Sequence, residues 1–145
     1  MWRNIYTQSL VVWVILAFVT IFFAIFREAV FIPAIGINGT LARALLLPVG
    51  LAYTFAIAYI FLRKTKTPYA ISDAIRIGIL WLVLTIAFEF IFGSLVMGNS
   101  LPALIADYNI LAGRTWPIFL LGVLLSPIIA GWKIEKTQRP KTLNF

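Results

Sequence analysis

The chain contains no cysteine and no histidine. These absences exclude disulfides, thiolate metal sites, histidine-ligated haem and the most common general base. Charge is scarce, with five acidic and twelve basic residues in 145. Five carboxylates are therefore the main resource for acid–base chemistry. No G-x-G-x-x-G, P-loop, G-x-S-x-G, H-E-x-x-H or C-x-x-C pattern occurs. Ser94, Ser100 and Ser126 have no basic residue at helical spacing to activate them. No catalytic residue, metal site or cofactor is expected on these grounds.

What is present is apolar. Hydrophobic residues make up 62% of the chain, and the mean hydropathy is +1.00. A soluble core of this length could not hide that much apolar surface. Four apolar stretches, about 9–26, 41–62, 74–97 and 115–132, each approach the ~20 residues that cross a ~30 Å hydrocarbon layer as a helix. The expected fold is all-α: a single-domain, antiparallel bundle of four transmembrane helices. The first stretch lacks a small-residue cleavage site and is long for a signal peptide, so it reads as a retained span.

The formal charge of +7 comes without a basic patch interleaved with aromatics, so nucleic acid is not an expected partner. The charge reads instead as an orientation signal. Arg3, Arg63, Lys64, Lys66, Arg76, Lys133, Lys136, Arg139 and Lys141 fall on the side of the termini. Arg27, Arg43 and Arg114 fall on the other. The asymmetry predicts cytoplasmic termini and affinity for anionic lipid.

The connections differ. RKTKTPYAIS is short and polar, with Ser72 as a candidate N-cap for the third span. REAVFIPAIGINGT carries Pro33, Gly36 and Gly39, which argue for turns. Asn38 to Thr40 fit a glycosylation sequon, a pattern common by chance. GNSLPALIADYNILAGR reads as a short helix: Ser100 caps, Pro102 suits the first turn and Gly113 the stop. Leu104, Ile105, Tyr108 and Leu111 are expected to share its apolar side. That helix should lie in the outer interface or fold back over the bundle. The last thirteen residues, KIEKTQRPKTLNF, read as a polar tail.

Small and polar residues form a stripe on each span, as helix association in lipid requires. Gly122, Ser126 and Ala130 recur at spacing four on the fourth span. Gly78, Leu82, Thr85, Glu89 and Gly93 share a side of the third. Gly50 and Thr54 align with Arg43 on the second, and Trp13, Ala17, Thr20, Ala24 and Arg27 on the first. Pro48 and Pro127 lie inside spans and favour kinks.

Glu89 is the one charge on its stripe. It lies roughly 12 Å below the outer end at ~1.5 Å per residue. A bare acidic residue at that depth costs about 2.5–3.5 kcal/mol. It must be protonated, paired or wet. Arg43 opens the second span on the same side and is the expected partner, its stem packing on apolar surface. Arg27, Glu28, Asp107 and Arg114 sit nearby. Two arrangements fit: a structural ion network, or an outward polar pocket for a small anion, a lipid headgroup or a proton.

The blocks FREAVFIPAIG, FEFIFG and DYNILAGRTWP, in that order, resemble a family of small, functionally uncharacterised prokaryotic four-helix integral membrane proteins. The resemblance implies the four-span architecture and a prokaryotic plasma membrane. It marks Arg27, Glu28, Glu89, Asp107, Asn109, Gly113 and Arg114 as motif residues and brings no activity with it. Arg43 rests on the depth argument alone.

The expected function is non-catalytic: binding a small ligand or lipid at the outer cluster, or serving as a subunit of a membrane assembly. Partners would be membrane lipids and further copies of the chain or other membrane subunits. The alternatives are an oligomeric transporter or channel, and an enzyme acting on lipid headgroups through Glu89 and Asp107. The apolar inner halves of the spans count against a continuous polar path.

Overall fold

Inside a bilayer the backbone has no solvent to bond with, so each apolar run must satisfy its own amides as a helix. The computed structural model describes residues 4–106, 108, 109, 111 and 114–142, with side chains described through Glu135. Its elements are α1 (Ile5–Phe26), a π-helical turn (Arg27–Phe31), α2 (Ile32–Ile35), α3 (Gly39–Lys64), α4 (Ile71–Ile91), a second π-helical turn (Phe92–Val96), α5 (Leu101–Ala106) and α6 (Trp116–Thr142). Four helical runs are long and apolar enough to cross a membrane: Ile5–Ile35, Gly39–Lys64, Ile71–Val96 and Trp116–Glu135. The fold is the expected all-helical four-span bundle, and the four runs mark a multi-pass membrane protein.

Several boundaries differ from those read in the sequence, each for a local reason. The first helical run passes through Arg27 and Pro33 and stops only at Gly36, whose φ of 78° is the left-handed end. Pro33 is tolerated because it falls in the first turn of α2. Asn38 caps α3, its side-chain oxygen accepting from the Leu41 amide at 2.7 Å. Helix α4 starts at Ile71, before Ser72 can cap it. Asp73 does that work by accepting from the Ala70 amide at 2.9 Å. Ser100 does cap α5, accepting from the Ala103 amide at 3.3 Å. Helix α6 continues to Thr142, so the polar tail read in the sequence is helical as far as that residue.

Helix α6 packs against both α3 and α4, and α1 closes the bundle by packing against the same two. The stripes of small residues explain the close approach. A Cβ on Gly78 would collide with the Leu124 carbonyl oxygen, and one on Gly131 would stand 2.9 Å from the Ala74 Cβ. Between these contacts lies the densest core: Leu62, Ala74, Ile77, Trp81, Val123, Ala130 and Ile134. The Trp81 indole N–H, fully buried, donates to the Ser9 carbonyl at 3.0 Å and ties α4 to α1. Outward, Phe18, Phe22, Ile25, Leu45, Ile60, Val83 and Leu121 remain exposed, as lipid-facing side chains should.

The end bearing the termini is laced with hydrogen bonds. The Tyr6 hydroxyl donates to Asp73 Oδ1 at 2.6 Å. Gln8 donates to Thr67 Oγ1 at 2.7 Å and accepts from Thr65 Oγ1 at 2.6 Å. These contacts pin α1 to the loop between α3 and α4 and to the start of α4.

Candidate functional site

The opposite end of the bundle is hollow. A cavity of about 610 Å³ lies between α1, α3, α4 and α6 under the α5 segment. Of the eight residues singled out in the sequence, five line it: Arg27, Glu28, Arg43, Glu89 and Arg114. Asn109 is exposed and does not line it; its carbonyl accepts the Arg114 amide at 3.3 Å, holding the approach to α6. Asp107 and Gly113 lie outside the described residues.

Local backbone form places these groups. Both π-helical turns, Arg27–Phe31 and Phe92–Val96, fall at this end, and residues of each line the cavity. A π turn widens the helix by one residue and re-aims side chains that a regular helix would turn away. Adjacent Arg27 and Glu28 both reach the cavity this way. Gly98, with φ of 70°, and the 2.8 Å bond from the Asn99 amide to the Gly93 carbonyl then reverse the chain into α5. Leu104 drops onto Gly93, where a Cβ would stand 2.7 Å from its Cδ2. So α5 folds back over the bundle. Leu104 and Tyr108 turn inward, while Ile105 and Leu111 face out. The four do not form the single apolar side expected of them.

The expected pair of Glu89 with Arg43 is not formed. Arg43 Nη2 lies 3.4 Å from Glu28 Oε1, and Arg27 Nε lies 3.4 Å from the same oxygen. Glu89 instead accepts from two amphipathic aromatics. The Tyr108 hydroxyl donates to Glu89 Oε2, and the Trp116 indole N–H donates to that oxygen at 2.7 Å. The Trp116 N–H also lies 3.3 Å from the Tyr108 oxygen. The reason is reach and competition. Arg43 opens α3 at the rim, where Glu28 meets it first. Tyr108, just past α5, and Trp116, the first residue of α6, bring neutral donors to the deeper carboxyl group. Hydrogen bonds from both donors offset part of the cost of burying the carboxyl group.

Tyr108 and Trp116 are the partners of Glu89 that the sequence patterns did not single out. The signal was present, since buried Tyr and Trp require a partner for their polar tips. Both lie close in sequence within the block that carries Arg114. The Tyr108 ring stacks on Phe90 at 6.1 Å, and the Trp116 ring on Phe119 at 5.4 Å.

Besides the charged groups the wall is apolar and aromatic: Ile21, Phe23, Leu47, Phe88, Phe92 and Phe119. Tyr53 adds one polar point, its hydroxyl donating to Thr20 Oγ1 at 3.0 Å. The cavity therefore joins a guanidinium-rich mouth to a hydrophobic interior. No group of three or more His, Cys, Asp or Glu among the described residues is arranged to hold a metal ion. No family model matches the chain, and no curated protein or solved structure is significantly similar to it.

Proposed function

We propose that this protein is a non-catalytic membrane protein that binds a small amphipathic ligand in the cavity at the end of the bundle opposite its termini. The single observation that carries the reading is the join of charged mouth and aromatic interior in one cavity of about 610 Å³. That volume falls within the range typical of small-ligand sites. Apolar burial supplies affinity, and the few polar groups fix orientation.

The membrane is the plasma membrane of a prokaryote, with both termini cytoplasmic, on the lysine and arginine asymmetry and the resemblance of the sequence blocks. The cavity then opens on the outer side. The three arginines that run against the asymmetry are those that line the cavity, which supports a role for them beyond orientation.

A transporter would need a polar path through the other end. Leu62, Ile77 and Trp81 are fully buried or nearly so there, and they favour a binding site closed at its base.

The test is native mass spectrometry of the purified chain in mixed phospholipid–detergent micelles. The parent should keep one phospholipid under conditions that strip detergent, and Ala24→Phe, which pushes a ring into the cavity from its α1 wall, should keep none. Equal retention by both proteins would place the lipid on the outer surface and end the pocket reading.

A further inference from the structure

Two arginines at the mouth share one acceptor. Arg27 Nε and Nη2 and Arg43 Nη2 all address Glu28 Oε1, at 3.4, 3.5 and 3.4 Å. These are long contacts for charge-assisted pairs, which close to about 2.7–2.9 Å when well formed. A guanidinium carries five N–H donors in a planar fork, so most of the donors on this pair are not engaged with Glu28. The Glu28 side chain is half-exposed at 51%, while Arg27 and Arg43 are at 21% and 33%. The carboxylate is thus the most accessible member of the trio, and it holds the two forks only loosely.

Depth adds a second, independent constraint. Counted along α1 from Ile5, Arg27 stands ~33 Å from the far end of its helix at ~1.5 Å per residue. Counted along α3 from Lys64, Arg43 stands ~32 Å away by the same rise. With the inner edge of a ~30 Å hydrocarbon layer set at Ile5 and Lys64, both arginines stand at its outer edge, where their long side chains reach the lipid phosphates. Counted along α4 from Ile71, Phe88 stands ~26 Å up at the same rise, and Phe119 sits one turn inside the start of α6, so these aromatic lining residues lie below the guanidiniums, at acyl-chain depth.

We infer that the ligand is an anionic phospholipid whose phosphate is clamped by Arg27 and Arg43, with an acyl chain in the aromatic interior, and that Glu28 is an internal counter-ion which the phosphate displaces. This deepens the pocket reading and rests on it. Phosphate matches a pair of guanidinium forks better than a single carboxylate oxygen does, because the two non-bridging oxygens of a phosphodiester can accept in parallel, one from each fork. Glu28 keeps the two like charges together when the site is empty and swings to its exposed side when phosphate arrives.

The probes are dioleoyl phosphatidylglycerol, dioleoylglycerol with the same chains and no phosphate, and inorganic phosphate alone, each titrated into the full-length protein in detergent. Binding is read by native mass spectrometry and by thermal shift. Phosphatidylglycerol should bind at least about tenfold more tightly than dioleoylglycerol. Arg27→Gln and Arg43→Gln should each erase most of that difference while leaving dioleoylglycerol binding unchanged. Glu28→Gln should strengthen phosphatidylglycerol binding severalfold.

Inorganic phosphate binding as tightly as the lipid would overturn the lipid source. Equal affinity for the two lipids, unaffected by either arginine change, would overturn the phosphate clamp. The pocket reading would survive that result if Ala24→Phe still abolished both. Weaker or unchanged binding by Glu28→Gln would overturn the displaceable counter-ion. The melting temperature of each variant without lipid separates misfolding from lost affinity.

Discussion

The two ends of this bundle are built from the same four helices and differ in almost every physical respect. At the end with the termini, glycines and alanines bring α4 and α6 into contact, and Trp81 fills the space left between α1 and the rest. Hydrogen bonds from Tyr6 and Gln8 then fasten the helix ends to the loop between α3 and α4 and to the start of α4. At the other end, π turns interrupt α1 and α4, α5 folds over the opening, and a cavity with three arginines remains. Close packing and open space are separated along the bundle axis. The packed end supplies the free energy that keeps a hollow, charged end standing.

Three changes test that division, beginning with the largest effect. Trp81→Ala should cost about 3–5 kcal/mol, the range for removing a fully buried aromatic. It should leave a folded remnant, if any, with no selective loss at the cavity, measured by equilibrium unfolding in mixed micelles. A loss below about 1 kcal/mol would show that the packed end does not dominate stability.

Glu89→Gln should cost about 1–3 kcal/mol, because the amide cannot accept from both donors as the carboxyl group does. A double-mutant cycle with Tyr108→Phe should be non-additive, and one with Arg43→Gln additive to within about 0.5 kcal/mol. The opposite pattern would restore the guanidinium as the partner of Glu89.

The smallest effect is the sharpest comparison, one substitution made at both ends. Gly78→Ala forces a Cβ against backbone and should cost about 1–3 kcal/mol. Gly50→Ala meets the Phe119 ring at 3.4 Å and the Tyr53 ring at 3.9 Å, ordinary contact distances, and should change stability by about 0.5 kcal/mol or less. Thermal melts of the two in the same detergent decide it. Equal losses would mean the cavity end is as tightly packed as the other.

How much of this was legible beforehand differs by feature. The four spans were, because ~20 apolar residues in lipid have one backbone solution. The polar cluster was also legible as a set, since charges are too rare in these spans to be placed by chance. Five of its seven members meet in one cavity. Its pairing was not. Depth arithmetic ranks Arg43 as a partner for Glu89 but says nothing of the competing Glu28, which reaches the rim through a π turn that no residue pattern announces. Nor does spacing along α5 reveal that its connection to α6 re-enters the bundle. Treating Leu104, Ile105, Tyr108 and Leu111 as one face missed that Leu104 and Tyr108 point inward for different reasons, one to fill the space over Gly93 and the other to satisfy Glu89.

By itself, the sequence determined the solvent, the number of crossings and the end at which charge collects, since each depends only on transfer free energy and rise per residue. The tertiary structure alone decided which donor answers which carboxylate and where space is left unfilled. Those outcomes depend on distances of a few ångströms between helices remote in the chain, and local propensity does not encode them.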